Sequence, residues 1–339
     1  METEQGRLRF PFEEIEARLY AINRKLGFGE EDARLIAHTH TQSSCDGVES
    51  HGLNRFPRFA EYVQSGYIRV DGEMTQTSQV GALEKWNGHQ RSGVLNAHQA
   101  INRAITLART HGLGAVALSH TNHWMRGGTY GWIAAEHDCM AICMTNTIPN
   151  MAPWGSQKNM IGNNPLVLAV PRKEGHVVLD MATSQYSYGK MEDISSRGEM
   201  LSYYGGWDES GNLTRDPDAI LQGGQVLPVG LWKGAGLTVL MDLMVSLLSE
   251  GESTHQIGQR DYETNLSQFF LCIHTGDASA HRTYQDAANA IIQSIHEVKP
   301  PGGEVYYPGE RTILRRLENL EKGIPVDPVI WEEITSMEI

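Results

Sequence analysis

Between Gly114 and Ala182 four apolar runs, GAVALSH, MAICMTNT, NPLVLAVP and HVVLDMA, follow one another at short intervals, with the helix-patterned TYGWIAAEHD between the first two. Runs this short and this continuously apolar read as strands covered on both faces. Four of them within about 70 residues predict a sheet-centred α/β core, because connections in compact domains are only a handful of residues long.

The flanks read as helices. FPFEEIEARLYAINRKLGF and EEDARLIAHTHTQSS carry apolar residues at three- and four-residue spacing with acidic residues early in each segment. RFAEYVQSG predicts a third helix, with Pro57 in its first turn and Gly66 at its end, and VLNAHQAINRAITLARTHG a long one closed by Gly112. Short strand-like pieces are expected between Ile68 and Ser92. Beyond the core, the Gly- and Asp-rich residues 193–230 predict a long surface excursion. After it come a helix over 234–250, a strand at SQFFLCIHT, a helix over 279–297 and another helix after Pro308. The expected organisation is a helical part over 1–115 packing with the C-terminal helices, an α/β core over 116–275, and a C-terminal helical part over 276–339.

Composition narrows the function. A formal charge of −13 disfavours nucleic acid and anionic membrane surfaces, so an anionic ligand must be held by local cations. The stretch GLTVLMDLMVSLLSEG is interrupted by Asp242 and too short to span a bilayer, and is read as a buried helix; METEQGRLRFPF carries no apolar targeting run. Cys45, Cys139, Cys143 and Cys272 form no CxxC pair and no metal register with histidine, and HEXXH is absent, so no metal is expected and reduced thiols in a cytoplasm are. Neither GxGxxG nor GxxxxGK[ST] occurs, which argues against Rossmann and P-loop sites.

Three segments carry candidate chemistry. In SHGLNRFPRF, His51 read alone is a histidine packed beside a glycine turn. Ser50 as an imidazole partner, Gly52 and the planar fork of Arg55 add what proton donation and carboxylate clamping require. SHTNHWMRGG gathers His120, Asn122, His123 and Arg126 just after a strand, as an anion-binding loop does. Asn163, Asn164, Asp180, Thr183 and Ser184 stand at strand ends, where they read equally as turn formers.

Taken together and in order, SHGLNRFPRF, NHWMRGGTYGW, IGNNPL, VLDMATS, GLWKGAGL and YYPGER resemble the type-2 malate/L-lactate dehydrogenase family over nearly the whole chain. The resemblance implies a non-Rossmann α/β fold with a sheet-centred cofactor domain, which accounts for the missing GxGxxG. It implies a cytoplasmic homodimer that reduces a 2-oxo carboxylate with NADH, or with NADPH. It makes His51 the proton donor, and places His176, Val177, Val178, Leu179, Asp180, Met181, Ala182, Trp232, Lys233, Gly309, Glu310 and Arg311 against the cofactor. Ser50, Arg55 and His123 are the expected substrate contacts, and Asp180 the carboxylate expected to orient the His51 ring. Two departures stand out: Asn163 replaces a common Thr, and Arg311 stands where an acidic residue is expected, which would favour a 2′-phosphate. Malate, lactate, ureidoglycolate and sulfolactate dehydrogenases and cyclic imine reductases share the scaffold, and a catalytically silent ligand-binding protein is the competing class.

Overall fold

The computed structural model describes residues 7–276, 281–298 and 303–337. The chain opens with β1 (Leu8–Phe10), then α1 (Phe12–Lys25) and α2 (Glu30–Cys45), the amphipathic pair that the spacing predicts. Two single-turn 3-10 helices, Glu49–His51 and Leu53–Arg55, lead into α3 (Phe56–Gln64), with Pro57 in its first turn, where a missing N–H costs nothing. Ile15, Leu19, Ile36, Phe56 and Phe59 share one apolar core with Ile324, Val326 and Ile334 from the far end of the chain.

A hairpin, β2 (Thr75–Val80) and β3 (Leu83–Asn87), precedes α4 (Gly93–His111), which ends at a left-handed Gly112. Then follow β4 (Leu113–Thr121), α5 (Gly128–Glu136), β5 (Cys139–Thr145), β6 (Leu166–Val170) and β7 (Val177–Met181). The four apolar runs are thus four strands. Residues 193–230 differ from expectation. They begin inside α6 (Tyr188–Ser196) and fold into β8 (Gly206–Trp207), β9 (Leu213–Thr214), α7 (Pro217–Leu221) and β10 (Gln225–Val226), a small sheet in the order β10-β8-β9. Leu201, Ile220 and Val226 pack with Met151, Met191 and Ile194 in a core of their own, so the segment is a folded lobe and not a surface excursion. Its apolar residues are too sparse to show a period, which is why the turn residues dominate the reading.

The chain continues through α8 (Trp232–Ser249), α9 (Thr254–Ile257), β11 (Leu266–His274), α10 (Arg282–His296), α11 (Glu310–Lys322), β12 (Ile324–Val326) and α12 (Pro328–Ser336). Residues 279 and 280, expected to open the α10 helix, lie outside the described residues. The seven-stranded sheet runs β2-β3-β4-β11-β5-β6-β7; β3 and β4 are parallel, every other pair antiparallel, and β12 pairs instead with β1. One face is sealed by α4 and α5 through Ala97, Ile101, Ala104, Tyr130 and Trp132 packed on Val116, Leu118, Val167 and Phe270.

The other face is covered by α8, and here the expectation of a buried helix fails. Met241 and Val245 pack on Ala115, Ala117 and Phe269, and the Asp242 carboxylate accepts from Asn146 and from the Thr254 N–H. The opposite side of α8 is open: Leu240 is 60 % exposed and Leu247 70 %, with Leu243 and Met244 between them. An apolar run signals that water is excluded but not by what.

Candidate active site

His51 sits at the end of the first 3-10 turn, where the chain swings from α2 to α3. Its Nδ1 shares a hydrogen bond with Ser50 Oγ at 2.9 Å, and its ring stacks on His123 with centroids 5.6 Å apart. Burial pushes its pKa down to about 4; the Asp180 carboxylate pulls it up, while Arg55 and Arg126 push it down. Arg55, four residues on, is half-buried and lies 3.8 Å from Glu263, a long contact that orients the guanidinium without saturating its fork. Glu263 is tied in turn by the Ile148 N–H. Ser50, His51, Arg55, His123 and Asp180 therefore cluster around one imidazole.

Asp180 plays a different part from the one expected. No hydrogen bond joins it to His51; its Oδ2 accepts from the Gly128 N–H at 2.7 Å, and the contact on the His51 ring comes from Ser50. Gly128 permits this approach, because a Cβ there would stand 2.9 Å from Asp180 Oδ2. Asp180 acts on His51 through its charge alone, and it sits on β7, the last strand of the sheet.

The loop between β4 and α5 is also re-read. Arg126 is buried and bound by Asp46, whose two oxygens also accept from Arg316 at 2.6 and 2.9 Å and from Gln42 at 2.7 Å. Burial alone would raise the Asp46 pKa, but Arg316 and Arg126 outweigh it and hold the carboxyl below its usual range. The Asn122 amide donates to the carbonyls of Tyr67, Gln90 and Arg91, and the electrostatic neighbours of His120 are Glu252, His89 and Arg260. The anion-binding loop thus reduces to His123. Burial drives His123 well below its usual pKa, and its Nδ1 accepts from the N–H of Met125, which is held left-handed at φ 63°. The ring is therefore neutral, with Nε2 as its protonated nitrogen.

Two of the three segments expected at the cofactor meet. The Val178 N–H donates to Pro308 O at 2.9 Å, so the turn bearing Gly309, Glu310 and Arg311 lies on the outer edge of β7, beside His176 and Val177. Arg311 is stacked 4.5 Å over the Tyr306 ring, and Glu310 is bonded to His296 and the Tyr307 N–H. Trp232 and Lys233 open α8, exposed, and the segment leading into them pairs with the residues past β7, where the Val229 N–H donates to Thr183 O at 2.8 Å. Past Met181 and Ala182, the buried hydroxyls of Thr183 and Ser184 have no hydrogen-bond partner among the described residues, which leaves them to serve a polar ligand such as a carboxamide. Asn163 and Asn164 are tied to Asn150, Thr147 and Thr238 and serve the framework. Sequence reasoning missed Glu263, Asp46 and Arg316. Each acts through a partner distant in sequence, and only the surplus of acidic residues hinted that cations would be countered.

Known proteins match this chain over nearly its whole length. A curated 2,3-diketo-L-gulonate reductase of Pasteurella multocida is 40% identical over 328 residues, covering 96% of this chain and 97% of the relative. That of Haemophilus influenzae is 36% identical over 333 residues, covering 97% and 100%. Among solved structures, a malate dehydrogenase from Pyrococcus horikoshii superposes with a TM-score of 0.83 at 28% identity, covering 97% of this chain and 94% of that one. A sulfolactate dehydrogenase from Methanocaldococcus jannaschii shares the fold, with a TM-score of 0.86 at 24% identity over 96% and 95%. The family model described as malate/L-lactate dehydrogenase matches residues 10–335, and the chain belongs to that family.

Proposed function

We propose that this protein is a cytoplasmic, NADH-dependent reductase of a 2-oxo carboxylate, with 2,3-diketo-L-gulonate as its substrate and 3-dehydro-L-gulonate as its product. The observation that supports the reading is the grouping of His51, Arg55 and Asp180 near one end of β7, residue types suited to proton donation, carboxylate clamping and countercharge. The names of the relatives direct the choice of substrate.

The nicotinamide supplies a hydride to C2 when bound, and the chain handles the rest. Arg55 takes the substrate carboxylate in its fork, with Glu263 holding the guanidinium in place. The carboxylate offsets the Arg55 charge that disfavours a protonated His51, so substrate binding raises the imidazole pKa. His51 delivers its Nε2 proton to the oxygen on C2, which becomes the hydroxyl of the product. Throughout, Nδ1 keeps its bond to Ser50, and Asp180 stabilises the imidazolium before transfer. The neutral His123 offers its Nε2–H to the same oxygen or carboxylate.

The open face of α8 supports a homodimer. Burying Leu240, Leu243, Met244 and Leu247 against a second copy would contribute about 1.5 to 3 kcal/mol for each fully covered side chain. The test of the activity is a panel of 2-oxo acids that includes 2,3-diketo-L-gulonate, 2-oxosuccinate and pyruvate, followed by loss of reduced-nicotinamide absorbance with either cofactor. Turnover strongest on 2,3-diketo-L-gulonate with NADH is expected; no turnover of any 2-oxo acid contradicts the proposal.

A further inference from the structure

The helix that leads into the 193–230 lobe has two faces with different duties. Met191 and Ile194 of α6 turn into the core of the lobe, against Leu201, Ile220 and Val226. At about 3.6 residues per turn, Gly189 and Glu192 fall on the other side of the helix. That side meets the catalytic turn: a Cβ on Gly189 would stand 2.8 Å from Ser50 Cβ, and Ser50 holds the His51 ring. The glycine thus lets the first turn of α6 rest on Ser50. The same turn is fixed in place, because Ser187 Oγ accepts from the Lys190 N–H at 3.3 Å and the Tyr188 hydroxyl donates to Asn150 O at 2.6 Å.

Glu192 lies roughly 4.5 Å further along the helix than Gly189. It is exposed, and its carboxylate makes no hydrogen bond or ion pair among the described residues. Burial lowers the Arg55 pKa, and Glu263 and Glu192 are carboxylates that counter the fall, so both stand within electrostatic reach of the guanidinium. Their circumstances differ. Glu263 is 3.8 Å from Arg55 and tied by the Ile148 N–H, whereas Glu192 is uncommitted. A 2-oxo acid with its carboxylate on Arg55 and its C2 oxygen at His51 leaves its remaining carbons to meet what else borders Ser50 and Arg55. The Glu192 face of α6 borders both.

Resting on the 2-oxo acid reading above, we propose that Glu192 sets which 2-oxo acid is accepted, its carboxylate accepting from the chain hydroxyls of a polyhydroxylated substrate and repelling a second carboxylate. A neutral hydroxylated chain gains a charged acceptor there. A dicarboxylate such as 2-oxosuccinate meets a like charge instead, which is discrimination by repulsion as much as by attraction.

Steady-state kinetics with three 2-oxo acids test this: 2,3-diketo-L-gulonate with a hydroxylated chain, 2-oxosuccinate with a second carboxylate, and pyruvate with neither. Each is read as kcat/KM with NADH, or as a competitive inhibition constant where turnover is slow. Glu192→Ala should lower kcat/KM on 2,3-diketo-L-gulonate by roughly tenfold, as loss of a charged hydrogen bond does. Glu192→Lys should raise 2-oxosuccinate relative to 2,3-diketo-L-gulonate by roughly tenfold or more. Pyruvate should change least in both variants. Glu192 is on the surface, so neither substitution threatens the fold. An unchanged ratio in Glu192→Lys, or a loss on pyruvate equal to that on 2,3-diketo-L-gulonate, overturns the selecting role and leaves the reductase reading standing. So does a wild type that prefers 2-oxosuccinate. A wild type that turns over no 2-oxo acid overturns both.

Discussion

His40 and His51 lie one turn and a loop apart, and burial pushes both down to about pH 4. Their surroundings differ in kind. His40 is enclosed by the rings of Phe56 and Phe59, each 5.3 Å away, and its Nδ1 bonds the Ile36 carbonyl within α2. His51 faces Ser50, His123, Arg55, Arg126 and the Asp180 carboxylate. A depressed histidine pKa therefore does not identify a catalyst. The distinguishing feature is a ring of charges that an incoming anion can rebalance: His51 has one, whereas the His40 ring is set by burial and by the Ile36 carbonyl.

Substitutions can break that contrast. His51→Ala should lower turnover by roughly 10² to 10⁴ with NADH affinity kept, the usual worth of general acid catalysis, whereas His40→Phe should leave turnover near that of wild type. Equal losses in steady-state assays of the two variants would erase the distinction. Arg55→Met should raise KM by roughly 10- to 100-fold, as expected for a charged hydrogen bond worth about 1.5 to 3 kcal/mol, with a smaller change in kcat. Asp180→Asn removes the charge that favours protonated His51, so the pH at which reduction falls off should move down by about one unit or less in a kcat/KM profile. A profile that stays in place would assign Asp180 to holding Gly128 only.

His40 makes its own prediction, on stability. Its folded pKa lies below the value of about 6.5 for an unfolded histidine. Between pH 6.5 and 4 the unfolded chain therefore binds a proton that the folded chain refuses, and stability is lost as pH falls through that window. Thermal melts of His40→Phe should show a shallower loss across the window than wild type. The smallest intervention concerns α8: Leu240→Glu with Leu247→Glu should halve the mass seen by light scattering and leave the fold intact, since both side chains point away from the sheet.

Strands β4, β5, β6, β7 and β11 were legible because each carries a short apolar run, whereas β2, exposed along its whole length, carries none. The helical ends were legible because each buries one stripe. The same apolarity misled at α8, where hydropathy records that Leu240 and Leu247 avoid water and is silent on whether this chain covers them. Residues 193–230 were opaque for the opposite reason: strands of two residues leave no period to detect. In the site, His51, Ser50 and Arg55 were legible because they are neighbours in sequence. The capture of Arg126 by Asp46 and of Asp180 by Gly128 was not, because the partners are 80 and 52 residues apart and meet only once the sheet and α2 are assembled.

The most direct test of the contrast is a pH titration of the histidine rings by NMR, with and without a non-reducible 2-oxo acid analogue such as oxamate. Both His40 and His51 should titrate near pH 4 in the free protein. With the anion seated on Arg55, the His51 midpoint should move up by about a unit or more while that of His40 stays in place. A His51 midpoint that does not respond to the anion, or one that moves together with His40, would contradict its assignment as the proton donor.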